Sequence, residues 1–99
     1  MNNFYSELEK NLFNRFKQAI IDSNLTIHSN DIWRFGRSKK EFDIVIYEGN
    51  HPLAVIEVKS NLSNINILAR EKENIRSAIS ITNSRFGIIT DNKVFTFMI

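Results

Sequence analysis

The stretch EFDIVIYEGNHPLAVIEVK, residues 41–59, decides the fold of this chain. Two runs rich in β-branched and aromatic residues, 42–47 and 53–59, flank the turn-forming segment 48–52, a pattern typical of a β-hairpin. Both faces of the second run are apolar over most of its length, as in a central strand that is covered on both sides. The stretch therefore predicts a hairpin at the centre of a layered sheet.

The segments outside the hairpin predict two helices and further strands. Hydrophobic periodicity and turn residues indicate these elements: a helix over 4–21, a strand around 25–28 or around 32–35, the two hairpin strands, a helix over 64–82, and strands over 86–90 and 94–98. The order α-β-β-β-α-β-β predicts an α/β fold, a mixed sheet flanked by helices, as a single domain over residues 1–99. Gly87, inside a strand, predicts a bulge or a close backbone approach.

The composition narrows the class of protein. Of the 99 residues, 42% are hydrophobic and 24% are charged, which suits one domain with one core. The chain contains no cysteine, and this excludes disulfides, thiolate metal sites and cysteine nucleophiles. The first ten residues are polar, unlike a signal peptide, and no run approaches the roughly 20 apolar residues of a membrane span. We therefore expect a cytoplasmic protein without a membrane segment.

Three charged residues of the hairpin form a candidate site. Glu57 and Lys59 share one face at the end of the second strand. If the hairpin is centred on Asn50, Asp43 stands opposite Glu57, with Cβ atoms about 5 Å apart. Two carboxylates at that distance repel unless a cation lies between them, and such hard oxygen ligands are those that Mg²⁺ prefers. The alternative is an ordinary exposed Glu–Lys pair with an acid that flanks the turn.

A cluster of basic residues precedes the hairpin, in a chain whose net charge is only +2. Its members lie within seven residues, next to two aromatic side chains: Arg34, Arg37, Lys39 and Lys40, beside Trp33 and Phe35. Such a cluster can neutralise phosphates, so these four residues are candidate DNA contacts. The alternative is a solvated loop. Trp33 is either a base-stacking residue or a core aromatic, and we expect His28 to be structural and His51 to be solvated.

The runs Glu41–Tyr47 and Pro52–Ser60 resemble the PD-(D/E)XK nuclease superfamily, and most closely the N-terminal nuclease domains of type I restriction enzyme motor subunits. Members have an Asp, a hairpin and a Glu-x-Lys at this spacing, here Asp43, Glu57 and Lys59. The resemblance covers nearly the whole chain. It implies a restriction-endonuclease-like core in the order predicted above. It also implies a metal-dependent endonuclease that hydrolyses DNA phosphodiester bonds in restriction, defence, or repair and recombination.

The resemblance further implies how the site residues would act. Asp43 and Glu57, with the backbone carbonyl of Val58, would hold Mg²⁺, or Mn²⁺ in its place. The metal would lower the pKa of a bound water and offset charge in the transition state. Lys59 would position that water and stabilise the developing charge.

A further acid is expected from the first helix, as in many members of the superfamily. Glu9, in the segment Glu9–Phe13, is similar to the Glu at the start of the first helix of Holliday-junction resolvases, so it is a candidate catalytic and metal-binding residue. Glu7 is the second choice. The alternative for Glu9 is a capping box with Ser6, because Ser-x-x-Glu is a helix-start signature.

The sequence departs from the family pattern at two places. Phe42 stands where the superfamily name has Pro. No Gln or Tyr follows Lys59 in the chain, so the Gln-x-x-x-Tyr motif that is usual in motor subunits is absent from the second helix. Asn74 and Arg76 lie on that helix and could touch DNA, but no feature of the sequence singles them out.

DNA is the expected partner, within a homodimer or a larger restriction or helicase assembly. Two alternatives to an independent nuclease stay open. One is a nuclease-fold module that binds DNA or protein without cutting, and the other is a domain excised from a larger protein. The apolar strand pattern of residues 94–99 favours a fragment, or an edge strand that awaits a partner.

Overall fold

Seven helices and strands make up residues 4–99, the part of the chain that the computed structural model describes. They are α1 (Glu7–Ala19), β1 (Leu25–Phe35), β2 (Ser38–Glu48), β3 (His51–Val58), α2 (Ile65–Thr82), β4 (Phe86–Thr90) and β5 (Phe95–Met98). The predicted order α-β-β-β-α-β-β is confirmed. β4 has the predicted bounds, β1 spans both of the alternative positions predicted for it, and the other elements differ from the prediction only at their ends.

The strands form one mixed sheet in the order β1-β2-β3-β4-β5. β3 and β4 are parallel, and the other neighbouring strands are antiparallel. A parallel pair needs a crossover connection, which α2 supplies between β3 and β4. The carboxyl ends of these two strands therefore meet at one edge of the sheet, where the N–H of Lys59 donates to the carbonyl of Thr90 at 3.0 Å.

Each face of the sheet is covered by one helix. Leu12 of α1 and Ile56 of β3 belong to one buried cluster, and Ile75 of α2 and Val55 of β3 belong to the other. Neighbouring residues of a strand point to opposite faces, so β3 is buried on both sides as its apolar pattern predicts. Neither of the two helices is long and apolar enough to cross a membrane.

α1 is shorter than the predicted helix at both ends. Ser6 is its N-cap, because the Ser6 hydroxyl accepts a hydrogen bond of 3.1 Å from the N–H of Glu9. Asn3, the other predicted cap, lies outside the described residues. The helix ends at Ala19 rather than at residue 21.

The hairpin of β2 and β3 has the predicted register next to the candidate site, where Ile44 pairs with Ile56. The register shifts by one residue beyond Ile46, so that Glu48 pairs with His51 at the turn. This irregularity lies at the end of the hairpin that is remote from residues 43 and 57. The regular pairing ends at Ile44 and Ile56 in the predicted register, and Asp43 and Glu57 are the next residues along each strand.

β1 and β2 are longer than the periodicity predicts. β1 is one strand that spans both of the alternative positions, and β2 begins at Ser38 rather than at residue 42. Within the described chain, residues 38–42 pair with β1 alone, and we call this two-stranded segment, residues 31–42, the ribbon. Its residues from 34 to 41 are all exposed. The part of the ribbon from 34 to 41 therefore lacks the alternation of buried and exposed residues by which a strand is recognised in a sequence.

Gly87 of β4 lies directly beneath α2. A Cβ atom at this position would stand 2.7 Å from Cγ1 of Ile75 and 2.7 Å from Cδ1 of Ile79. Of the two predicted explanations for this glycine, the close approach is confirmed. The absent side chain allows α2 to pack tightly on the sheet.

Candidate active site

Asp43 and Glu57 meet at the carboxyl end of β3. The pairing of Ile44 with Ile56 places the two residues just beyond the end of the hairpin ladder, and the negative charge of Asp43 raises the pKa of Glu57, so the two carboxylates lie close together. The Oδ2 atom of Asp43 also accepts a hydrogen bond of 2.8 Å from the backbone N–H of Val58. The structure thus brings the predicted pair of acids together.

Burial makes full ionisation of this pair costly. Desolvation raises the pKa of Glu57 to about 8, the charge of Asp43 adds to this shift, and Lys59 opposes it. Burial also raises the pKa of Asp43, against the lowering effect of its hydrogen bond from Val58. Among the described residues, the buried Oε1 atom of Glu57 has no hydrogen-bond partner. The pair therefore holds a proton near neutral pH unless a cation neutralises it.

Glu9 approaches the same pair from α1. It is only 4% exposed, and its Oε1 atom has no hydrogen-bond partner within residues 4–99. Burial, and then the negative charges of Asp43 and Glu41, raise the pKa of Glu9 to about 7. Glu7 is exposed. Of the two candidate acids on this helix, Glu9 is the one that lies near Asp43, while its own N–H is capped by Ser6.

Glu41 is an acid of this region that sequence analysis missed. Its charge raises the pKa of both Glu9 and Asp43, although Glu41 itself is exposed on the ribbon. An exposed acid in a strand carries no sequence signal of its own. The one feature of the sequence that connects Glu41 with the site is its position two residues before Asp43.

Lys59 lies between the acid pair and α2. Its charge lowers the pKa of Asp43 and of Glu57, and its Nζ atom is 3.3 Å from Oε2 of Glu71. The Glu71 side chain is only 7% exposed. Its other oxygen, Oε1, accepts a hydrogen bond of 3.2 Å from the side-chain amide of Asn74. Glu71 is therefore a buried partner of the predicted catalytic lysine.

Glu71 was also missed by sequence analysis, although its position carried a signal. The predicted core face of the second helix contains Leu68 and Ile75, and Glu71 falls between them at helical spacing. A carboxylate at a core position needs a cation or hydrogen-bond donors as partners. Its partner Lys59 lies on another element, so the helix pattern alone did not reveal the pair.

A cavity of about 170 Å³ opens beside these groups. Its wall includes Glu57 and Lys59 from the hairpin, Glu71 and Asn74 from α2, and Lys40 from the ribbon. Acidic and basic side chains thus face one concave space. Lys40 connects the basic cluster of the sequence to the acid pair.

Comparison with protein families identifies the chain. The model of the family described as the type I restriction enzyme R protein N terminus matches residues 5–99. The chain belongs to this family. A comparison with curated proteins finds no match. The predicted kinship with the N-terminal domain of type I restriction enzyme motor subunits is confirmed.

The oxygen atoms of this restriction enzyme domain suit a hard divalent cation. Mg²⁺ is usually held by one or two carboxylates, together with waters and substrate phosphate, rather than by a full protein cage. Asp43 and Glu57 supply two such carboxylates, one with the unpartnered Oε1 atom, and the carbonyl of Val58 lies between Glu57 and Lys59 in the chain. No group of three or more His, Asp or Glu side chains within residues 4–99 is arranged to hold a metal ion by itself. The residues therefore fit a metal that is completed by water and substrate.

The predicted DNA contacts of this domain lie on the ribbon and are all exposed: Arg34, Arg37, Lys39 and Lys40. Arg34 pairs directly with Lys39 across the two strands, and like charges in that position repel. In the described part of the chain, none of the four basic residues forms an ion pair. The cluster is part of a β-ribbon, so the solvated-loop alternative is wrong in its secondary structure.

The aromatic residues at the base of the ribbon have structural contacts. The ring N–H of Trp33 donates to Oδ2 of Asp31 at 3.1 Å, and the hydroxyl of Tyr47 donates to the same oxygen. Nδ1 of His28 lies 3.7 Å from Oδ1 of Asp31. Trp33 packs against the core on the α2 side, as expected for a core or rim aromatic. His28 and His51 are both exposed, and His51 lies at the hairpin turn.

Proposed function

We propose that this domain is a metal-dependent deoxyribonuclease that hydrolyses phosphodiester bonds, with a PD-(D/E)XK site formed by Asp43, Glu57 and Lys59. The observation that carries the proposal is the half-buried acid pair with one buried, unpartnered oxygen, next to a lysine. Two adjacent carboxylates that are partly removed from water destabilise a fold unless a ligand neutralises them. The retention of this acid pair at the edge of a cavity is therefore best explained by a cation that binds there during function.

Asp43, Glu57 and the Val58 carbonyl would hold Mg²⁺, or Mn²⁺ in its place, and Glu9 would add a further oxygen or a water-mediated contact. When bound, the metal supplies a water of lowered pKa and offsets negative charge on the phosphate. The protein's own part is to present both carboxylates to one point, and the proton that the pair holds near neutral pH would pass to solvent when a cation binds.

Lys59 would stabilise the negative charge that develops on the phosphate oxygens. Its Nζ atom is close enough to the acid pair to lower the pKa of both members, and it faces the cavity where substrate would lie. An ammonium group placed before the reaction begins stabilises the transition state without having to reorganise.

The ribbon would bring DNA to this site. A two-stranded β-ribbon fits the major groove of B-DNA, which is about 12 Å wide. The directly opposed Arg34 and Lys39 lack internal counter-ions in the described residues, and phosphates on the two sides of a groove would supply them. Lys40 belongs to the ribbon and also lines the cavity that contains Glu57. The proposal thus connects DNA binding and cleavage through adjacent residues.

The family name refers to a subunit of a restriction enzyme. We therefore propose that the domain works in the cytoplasm as part of a larger restriction assembly, where other domains would deliver DNA to it. Homodimerisation is the alternative by which a domain of this size would cut both strands.

A DNA-binding module that does not cut is the second candidate function. It is favoured by one observation, that the four basic side chains of the ribbon are exposed and form no ion pair within residues 4–99. Such a module would use the ribbon in the same way but would not respond to divalent metals beyond simple charge screening.

One experiment separates these functions. The protein is incubated with plasmid, single-stranded and branched DNA in Mg²⁺, Mn²⁺ or EDTA, together with Asp43→Ala and Lys59→Ala. Asp22→Ala and Lys17→Ala, which change the same residue types at exposed positions, are the matched controls. We expect cleavage by the wild type and the controls only with a divalent metal. Binding without cleavage in every metal would instead identify the binding module.

A further inference from the structure

Glu71 occupies a position in α2 that an apolar residue would normally fill. It lies one helical turn from Ile75, which is fully buried in the core on this side of the sheet. Burial of a carboxylate costs free energy, and a well-packed apolar residue in the place of a buried ion pair is often neutral or stabilising. Packing therefore does not explain why α2 carries an acid here.

Both oxygens of the Glu71 carboxylate are engaged. Oε2 is 3.3 Å from Nζ of Lys59, and Oε1 accepts the 3.2 Å hydrogen bond from Asn74. Arg70 is a weaker partner, because its Nε atom is 3.9 Å away and its side chain is largely exposed. The carboxylate is thus held in one orientation, with one oxygen directed at Lys59.

Lys59 needs such an anchor, because its side chain is flexible and 38% exposed. Its backbone is held by the hydrogen bond to Thr90, which leaves the four-carbon side chain free. The attraction of its ammonium to Asp43 and Glu57 would weaken once a divalent cation neutralised those acids. Glu71 also lines the cavity but is not one of the proposed metal ligands, so its attraction for the ammonium would not be lost in the same way.

We propose that Glu71 is a positioning residue, which holds the Lys59 ammonium against α2 so that Lys59 faces the phosphate and stays clear of the cation. This inference rests on the proposed nuclease function and deepens it. Glu71 itself touches neither the cation nor the substrate. Its effect passes entirely through Lys59, and this gives the proposal a specific test.

The alternative is a structural ion pair that only joins α2 to β3. A structural pair would change the melting temperature when it is broken, but it would not couple to catalysis through Lys59. Glu73 is the matched control on the same helix, because it is 74% exposed and pairs with Arg76. Glu73→Gln removes the same charge without contact with the cavity.

The test is a double-mutant cycle on metal-dependent DNA cleavage with Glu71→Gln, Lys59→Ala and the double variant. We expect Glu71→Gln to lower kcat by about 10- to 100-fold with little change in KM, the cost of a misplaced catalytic group. In the Lys59→Ala background, Glu71→Gln should have no further effect on kcat. Glu71→Asp should recover part of kcat, and Glu73→Gln should match the wild type.

Two results would overturn the proposal. One is an equal loss of kcat from Glu71→Gln with and without Lys59. The other is a loss of kcat that simply follows the melting temperature across all variants. The side-chain NMR resonances of Lys59 provide a readout that does not need activity, and Glu71→Gln should shift them while Glu73→Gln should not. If the wild type does not cleave DNA, the proposed function fails, and the NMR comparison still decides whether Glu71 holds Lys59.

Discussion

Asp43 accepts a hydrogen bond from the backbone N–H of Val58, 2.8 Å from its Oδ2 atom, and this contact ties the first acid of the site to the strand that carries the second. Antiparallel pairing normally leaves side chains free of the neighbouring backbone. Here the carboxylate of Asp43 accepts a hydrogen bond from the backbone of β3, at the point where the regular pairing of β2 and β3 ends. The site therefore begins where the regular hydrogen bonding of the hairpin stops.

The stability of the metal-free protein should fall as the pH rises. The folded pKa of Glu57, about 8, and that of Glu9, about 7, both lie above the ordinary value of 4.5. The folded state then binds more protons than the unfolded state, so the stabilisation is complete below pH 4.5 and is lost as the pH rises towards 8. Denaturant unfolding at a series of pH values measures this slope.

Glu57→Gln removes most of this dependence, because the amide does not ionise. At pH 8 it should be more stable than the wild type, and Mg²⁺ should stabilise the wild type and not this variant. Glu7→Gln, a change at an exposed position of α1, is the control and should keep the wild-type slope. Equal slopes for the wild type and Glu57→Gln would show that Glu57 is not the group that titrates.

Removal of Arg34 and Lys39 should weaken DNA binding without harming the fold. The two residues face each other across the ribbon, so the double alanine variant relieves a repulsion and should be at least as stable as the wild type. Loss of two phosphate contacts should lower the slope of log affinity against log salt by about 2. Fluorescence anisotropy with labelled duplex DNA at several salt concentrations measures the slope. A double variant of Lys17 and Arg85, both exposed, controls for net charge, and an equal effect from it would argue against the ribbon.

The two roles of residue 9 can be separated by substitution. Ser6→Ala removes the helix cap that uses the N–H of Glu9, and it should cost about 1 kcal/mol of stability while cleavage still saturates at the same Mg²⁺ concentration. Glu9→Gln keeps the cap and should raise the Mg²⁺ concentration needed for half-maximal cleavage. The reverse pattern would make Glu9 a capping residue alone.

Gly87→Ala should destabilise the protein by about 1–3 kcal/mol, the usual cost of overpacking a core. The added methyl group would meet Ile75 and Ile79 at 2.7 Å. Ile79→Val deletes the Cδ1 atom of one clashing side chain, so the double variant should recover part of the loss in thermal unfolding. If the destabilisation in the double variant equals the sum of those in the two single variants, the close approach of α2 does not explain why residue 87 is glycine.

The elements with strong local patterns were predictable from the sequence. From apolar runs and turn residues, the bounds of β4, 86–90, were predicted correctly, and the start of α2 was predicted within one residue of its position in the structure. The proximity of Asp43 and Glu57 was predictable for a related reason, because the apolar pattern fixes the register of the two strands next to the site, although the pairing at the turn is shifted by one residue. The ribbon was not predicted at its full length, because residues 34–41 are exposed and their side chains carry no alternation.

The acid pair and its lysine were thus determined by the sequence itself, through a hairpin whose contacts are local. Tertiary structure alone decided which groups join them. Glu9 rather than Glu7 lies near Asp43 because of the way α1 packs on the sheet, and Glu71 meets Lys59 because the crossover helix returns over the end of β3. Long-range packing sets these distances. The hydrophobic periodicity of a helix predicts which of its faces is buried, but it does not predict which residues of other elements that face will contact.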